Sequence, residues 1–167
     1  LVKKLMSEIS TNTEVPWWIF DVKGSEYSNL SRFPDVSILR PGLDPNFTID
    51  LVESKAIDSN RAHSTFSILR ELIRENTSDL SPAMETLLRE AILSLTEEGE
   101  GGFGALSLVK RIDEISRKDR VGSMTRDALI NRLEILSREP LGSIFAGGEH
   151  SFQISNMLKK RVVFDLR

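Results

Sequence analysis

The chain has 167 residues, of which 40% are hydrophobic and 28% charged, and a formal net charge of −3. That length suits one ordinary domain, or one with a small appendage, and the weak negative charge gives no general attraction to nucleic acid or to an anionic membrane. Cysteine is absent, which excludes disulfides and thiolate metal sites and fits a reducing, cytoplasmic setting.

No apolar run approaches the roughly 20 residues a membrane helix needs, and no signal peptide is visible. Leu1 to Ser10 sets Val2, Leu5, Met6 and Ile9 at helical spacing. The chain thus opens on Leu1 inside a helix, so it is expected to be a fragment of a longer protein. Thr11 to Thr13 is an exit loop. Val15 to Phe20 is continuously apolar and stops at Asp21, the pattern of a strand buried on both faces, as in parallel sheets. Asp35 to Leu39 reads as a second strand, ended by Arg40-Pro41-Gly42. Phe47 to Leu51 alternates and is predicted as a third, edge-like strand after a turn at Pro45-Asn46.

From about Ser59 the character changes to helix. Phe66, Leu69, Leu72 and Ile73 line the first helix of this region, with Ser59 or Asn60 as caps. Ser81-Pro82 starts the next, because proline in the first turn loses no hydrogen bond, and Met84, Leu87, Leu88, Ala91, Ile92 and Leu95 make its stripe. A third carries Leu108, Val109, Ile112 and Ile115; a fourth, from Ser123 or Thr125 to Pro140, carries Leu129, Ile130, Leu133 and Leu136. Their apolar faces bury one another most simply as an antiparallel bundle. Ser151 to Lys159 is predicted as one more short helix, and Arg161 to Leu166 as a buried strand bearing Asp165. The expected fold class is α/β, a partial parallel sheet with an inserted all-helical subdomain. Residues 1–56 and 151–167 would form the sheet portion and 57–150 the helical insertion.

In open α/β sheets, ligands bind beyond the carboxyl ends of the strands. Asp21, Lys23, Gly24 and Glu26 stand there. The plain reading is a strand-exit turn with Gly24 at positive φ. The functional one has Asp21 and Glu26 position a water or reach a metal near a nucleotide's phosphates, to which Lys23 offers its charge. Arg161-Val-Val-Phe-Asp165 has the form of a Walker B strand, whose carboxylate orders magnesium, but Leu166 replaces the acid that would follow. The cluster Gly99-Glu-Gly-Gly-Phe-Gly104 follows a helix and lacks the Lys-Ser/Thr of a P-loop, so it reads as a helix C-cap and mobile loop. His63 and His150 have no partners at ligand spacing, and no metal site is expected. Adjacent Trp17 and Trp18 read as core, and Lys159-Lys160-Arg161 as a solvated turn or, in a translocase, a contact to a phosphate backbone.

The order of these pieces resembles the central ATPase domain of the HerA/FtsK superfamily, including HerA-type DNA translocases and the related type IV secretion ATPases. The residues that carry it are Asp21-x-Lys-Gly-x-Glu-Tyr-x-x-Leu30, Ile38-Leu-Arg-Pro-Gly42, Phe47 to Leu51, Leu80-Ser-Pro-Ala-Met84, Glu139-Pro-Leu-Gly-Ser-Ile-Phe145 and Arg161 to Leu166. The resemblance implies a RecA-like P-loop ATPase core, with Walker A upstream of Leu1 and the Walker B Asp-Glu downstream of Arg167. It implies catalytic roles for Asp21, Glu26 and Asp165 and nucleotide-binding roles for Lys23, Gly24 and Tyr27. Ser25 stands where many members run Gly directly into Glu, and Lys23 where HerA-type proteins often have His. For the parent it further implies ATP with Mg2+, a hexameric ring with arginines given from a neighbouring subunit, double-stranded DNA, and a nuclease or secretion partner. The chain by itself would hold no cofactor tightly and would be inactive. Two rival readings are a non-enzymatic helical interaction or oligomerisation module and a nuclease using Asp21, Glu26 and Asp165 on one metal.

Overall fold

The computed structural model describes residues 1–24, 26–44, 47–53, 59–98, 102–119, 121–147 and 157–167. The chain divides into two compact units, Leu1–Phe47 with Phe152–Arg167, and Thr48–Ser151. Each has its own core.

The first unit is built on a parallel sheet. α1 (Val2–Asn12) leads to β1 (Trp17–Asp21); β2 (Val36–Leu39) and, at the far end of the sequence, β5 (Arg161–Asp165) complete it. The strand order is β1-β5-β2, with β5 paired to both neighbours in parallel. Register sets Phe20 opposite Phe164 and Asp21 opposite Asp165. Alternation along the strands then sorts the two faces. On one face Trp17, Ile19, Val163, Val36 and Ile38 pack with Met6 of α1 and with Leu30 of a 3-10 turn over Ser28–Arg32. On the other, Trp18, Phe20 and Phe164 form an aromatic group, the two phenylalanine rings stacked with centroids 4.8 Å apart.

The strand buried on both faces is β5, every residue of which is buried, and not β1. β1 lies at the end of the strand order, and Phe20 remains 58% exposed. Continuous apolarity from Val15 to Phe20 therefore reflects an aromatic face as well as a core one. The stripe of α1 is likewise only partly covered: Met6 packs on the sheet while Val2 and Leu5 stay exposed.

The second unit contains α2 (Ser59–Asn76), α3 (Pro82–Glu97), α4 (Ala105–Lys118), α5 (Ser123–Leu133) and the short α6 (Leu141–Ile144). Its core gathers the expected stripes: Phe66, Leu69 and Ile73; Leu87, Leu88, Ala91, Ile92 and Leu95; Leu108 and Ile112; Leu129 and Leu133. Ser81 caps α3 by accepting the backbone N–H of Met84, with Pro82 in the first turn. Phe47 to Leu51 is not a strand. Its neighbours Val52–Glu53 (β3) pair antiparallel with Gly102–Phe103 (β4), and the N–H groups of Ile49 and Leu51 donate to the carbonyls of Ile144 and Phe103. Half of the glycine cluster thus belongs to a strand and a helix start, where a mobile loop was expected. Gly104 precedes α4 with its backbone against the carbonyl of Ala146, so close that a Cβ would collide. Glycine is needed there for backbone approach. Residues 99–101, His150 and most of the helix expected over 151–159 lie outside the described residues.

Candidate functional site

Three strands end at one rim of the sheet, and their terminal residues gather charge there. Asp21 closes β1, Arg40 follows Leu39 of β2, and Asp165 closes β5, with Arg167 two residues beyond. Parallel pairing at matched register is what brings the two acids together.

Asp21 is buried and organises the turn after it. Its Oδ1 accepts the N–H of Gly24 at 3.0 Å and its Oδ2 the N–H of Tyr27 at 3.2 Å. Gly24 sits at φ 68°, a conformation side chains disfavour, and a Cβ would run into the aliphatic part of Arg167. The plain reading of this turn is therefore correct in its geometry. Lys23 and Glu26 are exposed on it and lie 3.8 Å apart as an ion pair, so Glu26 is matched to Lys23 across the turn. Tyr27 packs against the sheet core.

Asp165 is 3% exposed and gripped from the side. Arg167 donates to it through both arms of its guanidinium, Nε to Oδ1 at 2.9 Å and Nη2 to Oδ2 at 2.7 Å. Arg40 Nε lies 3.4 Å from Oδ2, an ion-pair contact without hydrogen-bond alignment. The Arg167 hydrogen bonds, helped by its charge and by Arg40, hold the Asp165 carboxyl below the usual aspartate range despite burial. The same pairing raises Arg167. The two strand acids are also tied through the backbone, since the N–H of Leu166 donates to the carbonyl of Asp21 at 3.0 Å.

No family model matches this sequence. Nor does any curated protein. Among solved structures the chain is similar to VirB4 of Thermoanaerobacter pseudethanolicus, with a TM-score of 0.65 and 12% sequence identity, over 96% of this chain and 62% of that one. The likeness is one of fold. The chain therefore spans less than two thirds of the VirB4 chain it matches. The α/β architecture with a small parallel sheet and a helical unit is common to both.

Sequence reasoning missed Arg40 and Arg167. It sought acids at strand ends, whereas the informative signal is every residue at the end of a parallel strand, whatever its charge. Of the basic run read as a solvated turn, Arg161 is instead the buried first residue of β5, as the strand expected over Arg161 to Leu166 has it. At the opposite rim its buried guanidinium donates to the carbonyls of Ser10, Thr13 and Val15 and pairs with Asp35. Lys159 and Lys160 beside it are exposed and border a cleft of about 730 Å³ with Glu14 and Ser37.

The rim suits a cation poorly. Each oxygen of Asp21 already accepts a backbone N–H, and each oxygen of Asp165 an N–H of Arg167. Two guanidinium charges beside Asp165 oppose a third cation. Among the described residues, no group of three His, Cys, Asp or Glu is arranged to hold a metal. The one-metal nuclease arrangement of Asp21, Glu26 and Asp165 therefore lacks its required convergence, and the residues of this chain do not by themselves fit Mg2+.

Proposed function

We propose that this chain is the segment of a P-loop ATPase lying between Walker A and Walker B, in a motor of the kind to which VirB4 and the HerA-type translocases belong. The observation that carries the reading is the pair of acid-tipped strands, parallel, adjacent and in register, with both carboxylates at one rim. In such sheets that rim faces the ligand. The likeness of fold to VirB4 supports the secretion branch; the Asp21-x-Lys-Gly-x-Glu-Tyr27 pattern supports kinship with HerA.

In this reading Asp21 fixes the turn that presents Lys23 and Glu26 to the nucleotide, with Tyr27 lodged against the sheet core, and Lys23 exchanges its exposed pairing with Glu26 for a phosphate. Asp165 acts from the neighbouring strand. ATP and Mg2+ belong to the complete parent site, whose phosphate-cradling loop supplies most contacts in sites of this type. A hexameric ring acting on double-stranded DNA or on a secreted substrate follows for the parent.

The test is ATP turnover by the parent protein beside the 167-residue chain. The parent is expected to hydrolyse ATP and the chain alone to give none. Asp21→Asn in the parent should lower kcat about 100-fold, because misplacing a positioned group by an ångström has that order of effect. A folded parent without turnover, or turnover by the isolated chain, overturns the reading. So does a coding sequence without G-x-x-x-x-G-K-[ST] upstream.

A further inference from the structure

We infer that Arg40 is an oxyanion-binding residue, its guanidinium moored at Nε beside Asp165 so that its terminal amino groups form a fork for a phosphate, with Arg167 next to it. The sequence offers no hint of this, since Arg40 looks like loop punctuation before Pro41-Gly42.

Four observations point there. Arg40 Nε is buried and lacks a hydrogen-bond partner, while the side chain as a whole is 42% exposed. Among the described residues the terminal nitrogens of Arg40 make no hydrogen bond, which leaves them for a ligand. Its backbone is pinned as well, because its N–H donates to Asp44 Oδ2 at 2.7 Å and its carbonyl accepts from Leu43 and Asp44. Finally, Arg167 spends Nε and Nη2 on Asp165, which leaves Nη1 for a second ligand oxygen.

Hydrogen-bonding chemistry selects the ligand. The nearby carboxylates are already engaged: Asp21 by the N–H groups of Gly24 and Tyr27, Asp165 by Arg167, and Asp44 by the N–H of Arg40. What Arg40 and Arg167 have left to give is donors. A planar fork of N–H groups matches the oxygens of a phosphate in two-point contact, which a lysine cannot reproduce. Asp165 is thereby a positioning residue: it orients the arginines that meet the ligand and is not itself a metal ligand. That the phosphate belongs to a nucleotide rests on the function proposed above; the fork does not.

The experiment follows the side-chain Nε–Hε signals of the 167-residue chain by nuclear magnetic resonance while inorganic pyrophosphate is added. Arg40 and Arg167 are expected to shift saturably. Arg40→Gln should weaken binding about tenfold, the loss of a charge-assisted contact, and Arg40→Lys should restore only part of it while keeping the charge. Arg74→Gln, at an exposed arginine of α2, should change nothing. ATP should displace pyrophosphate. Absence of saturable binding, or equal weakening by Arg40→Gln and Arg74→Gln, overturns the fork; pyrophosphate binding that ATP fails to displace overturns the assignment to a nucleotide. Parent turnover is a separate measurement, so failure of one claim is distinguishable from failure of the other.

Discussion

Asp165 is an acid whose charge is already answered by its surroundings. Because Arg167 holds its carboxyl below the ordinary aspartate range, the folded state binds the proton less readily than the unfolded chain. The sign follows: the contribution is full above the unfolded value of about 3.9 and is lost as pH falls through the lower folded value. Asp165→Asn should melt at a lower temperature than the unmodified chain at neutral pH, with the gap closing below about pH 4. A gap that stays constant from neutral to acid pH would show that the pairing contributes nothing. At this scale the sequence was informative about acids and silent about their partners. Asp21 and Asp165 could be picked out because strands that stop at an acid are visible in one dimension. Arg40 and Arg167 could not, since their importance lies in which carboxylate they reach across strands distant in sequence.

At the scale of elements, helices were the most legible. The stripe from Met84 to Leu95, begun by Ser81-Pro82, became α3 with the expected cap, because capping and periodicity are local. Strands were less so. The strand expected over Val15 to Phe20 is β1 at Trp17–Asp21, but its place in the sheet depends on β5, which a local pattern cannot report. Phe47 to Leu51 alternates yet takes its backbone partners from Ile144 and Phe103 without forming a strand. Arg161 shows how an element is anchored. Its guanidinium gathers the last turn of α1, the approach to β1 and Asp35 ahead of β2. Arg161→Leu should destabilise the sheet unit strongly, since it removes the hydrogen bonds of a buried guanidinium to three carbonyls and to Asp35, each charge-assisted bond worth roughly 1.5–3 kcal/mol. The measurement is a urea midpoint followed by tryptophan fluorescence. A midpoint unchanged by the substitution would reduce the guanidinium to an ornament of the fold.

Across the whole molecule, two cores make separate demands. Both tryptophans, Trp17 and Trp18, lie in the sheet unit, whereas most helix lies in the other. Fluorescence and far-ultraviolet circular dichroism therefore watch different halves. Leu88, wholly buried in the helical core, offers the test: Leu88→Ala should cost about 2–5 kcal/mol, lowering the dichroism midpoint in urea and leaving the fluorescence midpoint in place. Movement of both by the same amount would mean a single cooperative transition.

The middle position of β5 has a consequence for biogenesis. Its neighbours on either side emerge from the ribosome early, while the strand that joins them is translated only after the entire helical unit. Until then β1 and β2 expose unpaired edges, a state prone to sticking to other chains. Early collapse of the intervening helices would shorten the effective tether between the two parts of the sheet and ease its closure. During synthesis, the helical unit would thus serve as a spacer that draws together what translation separates.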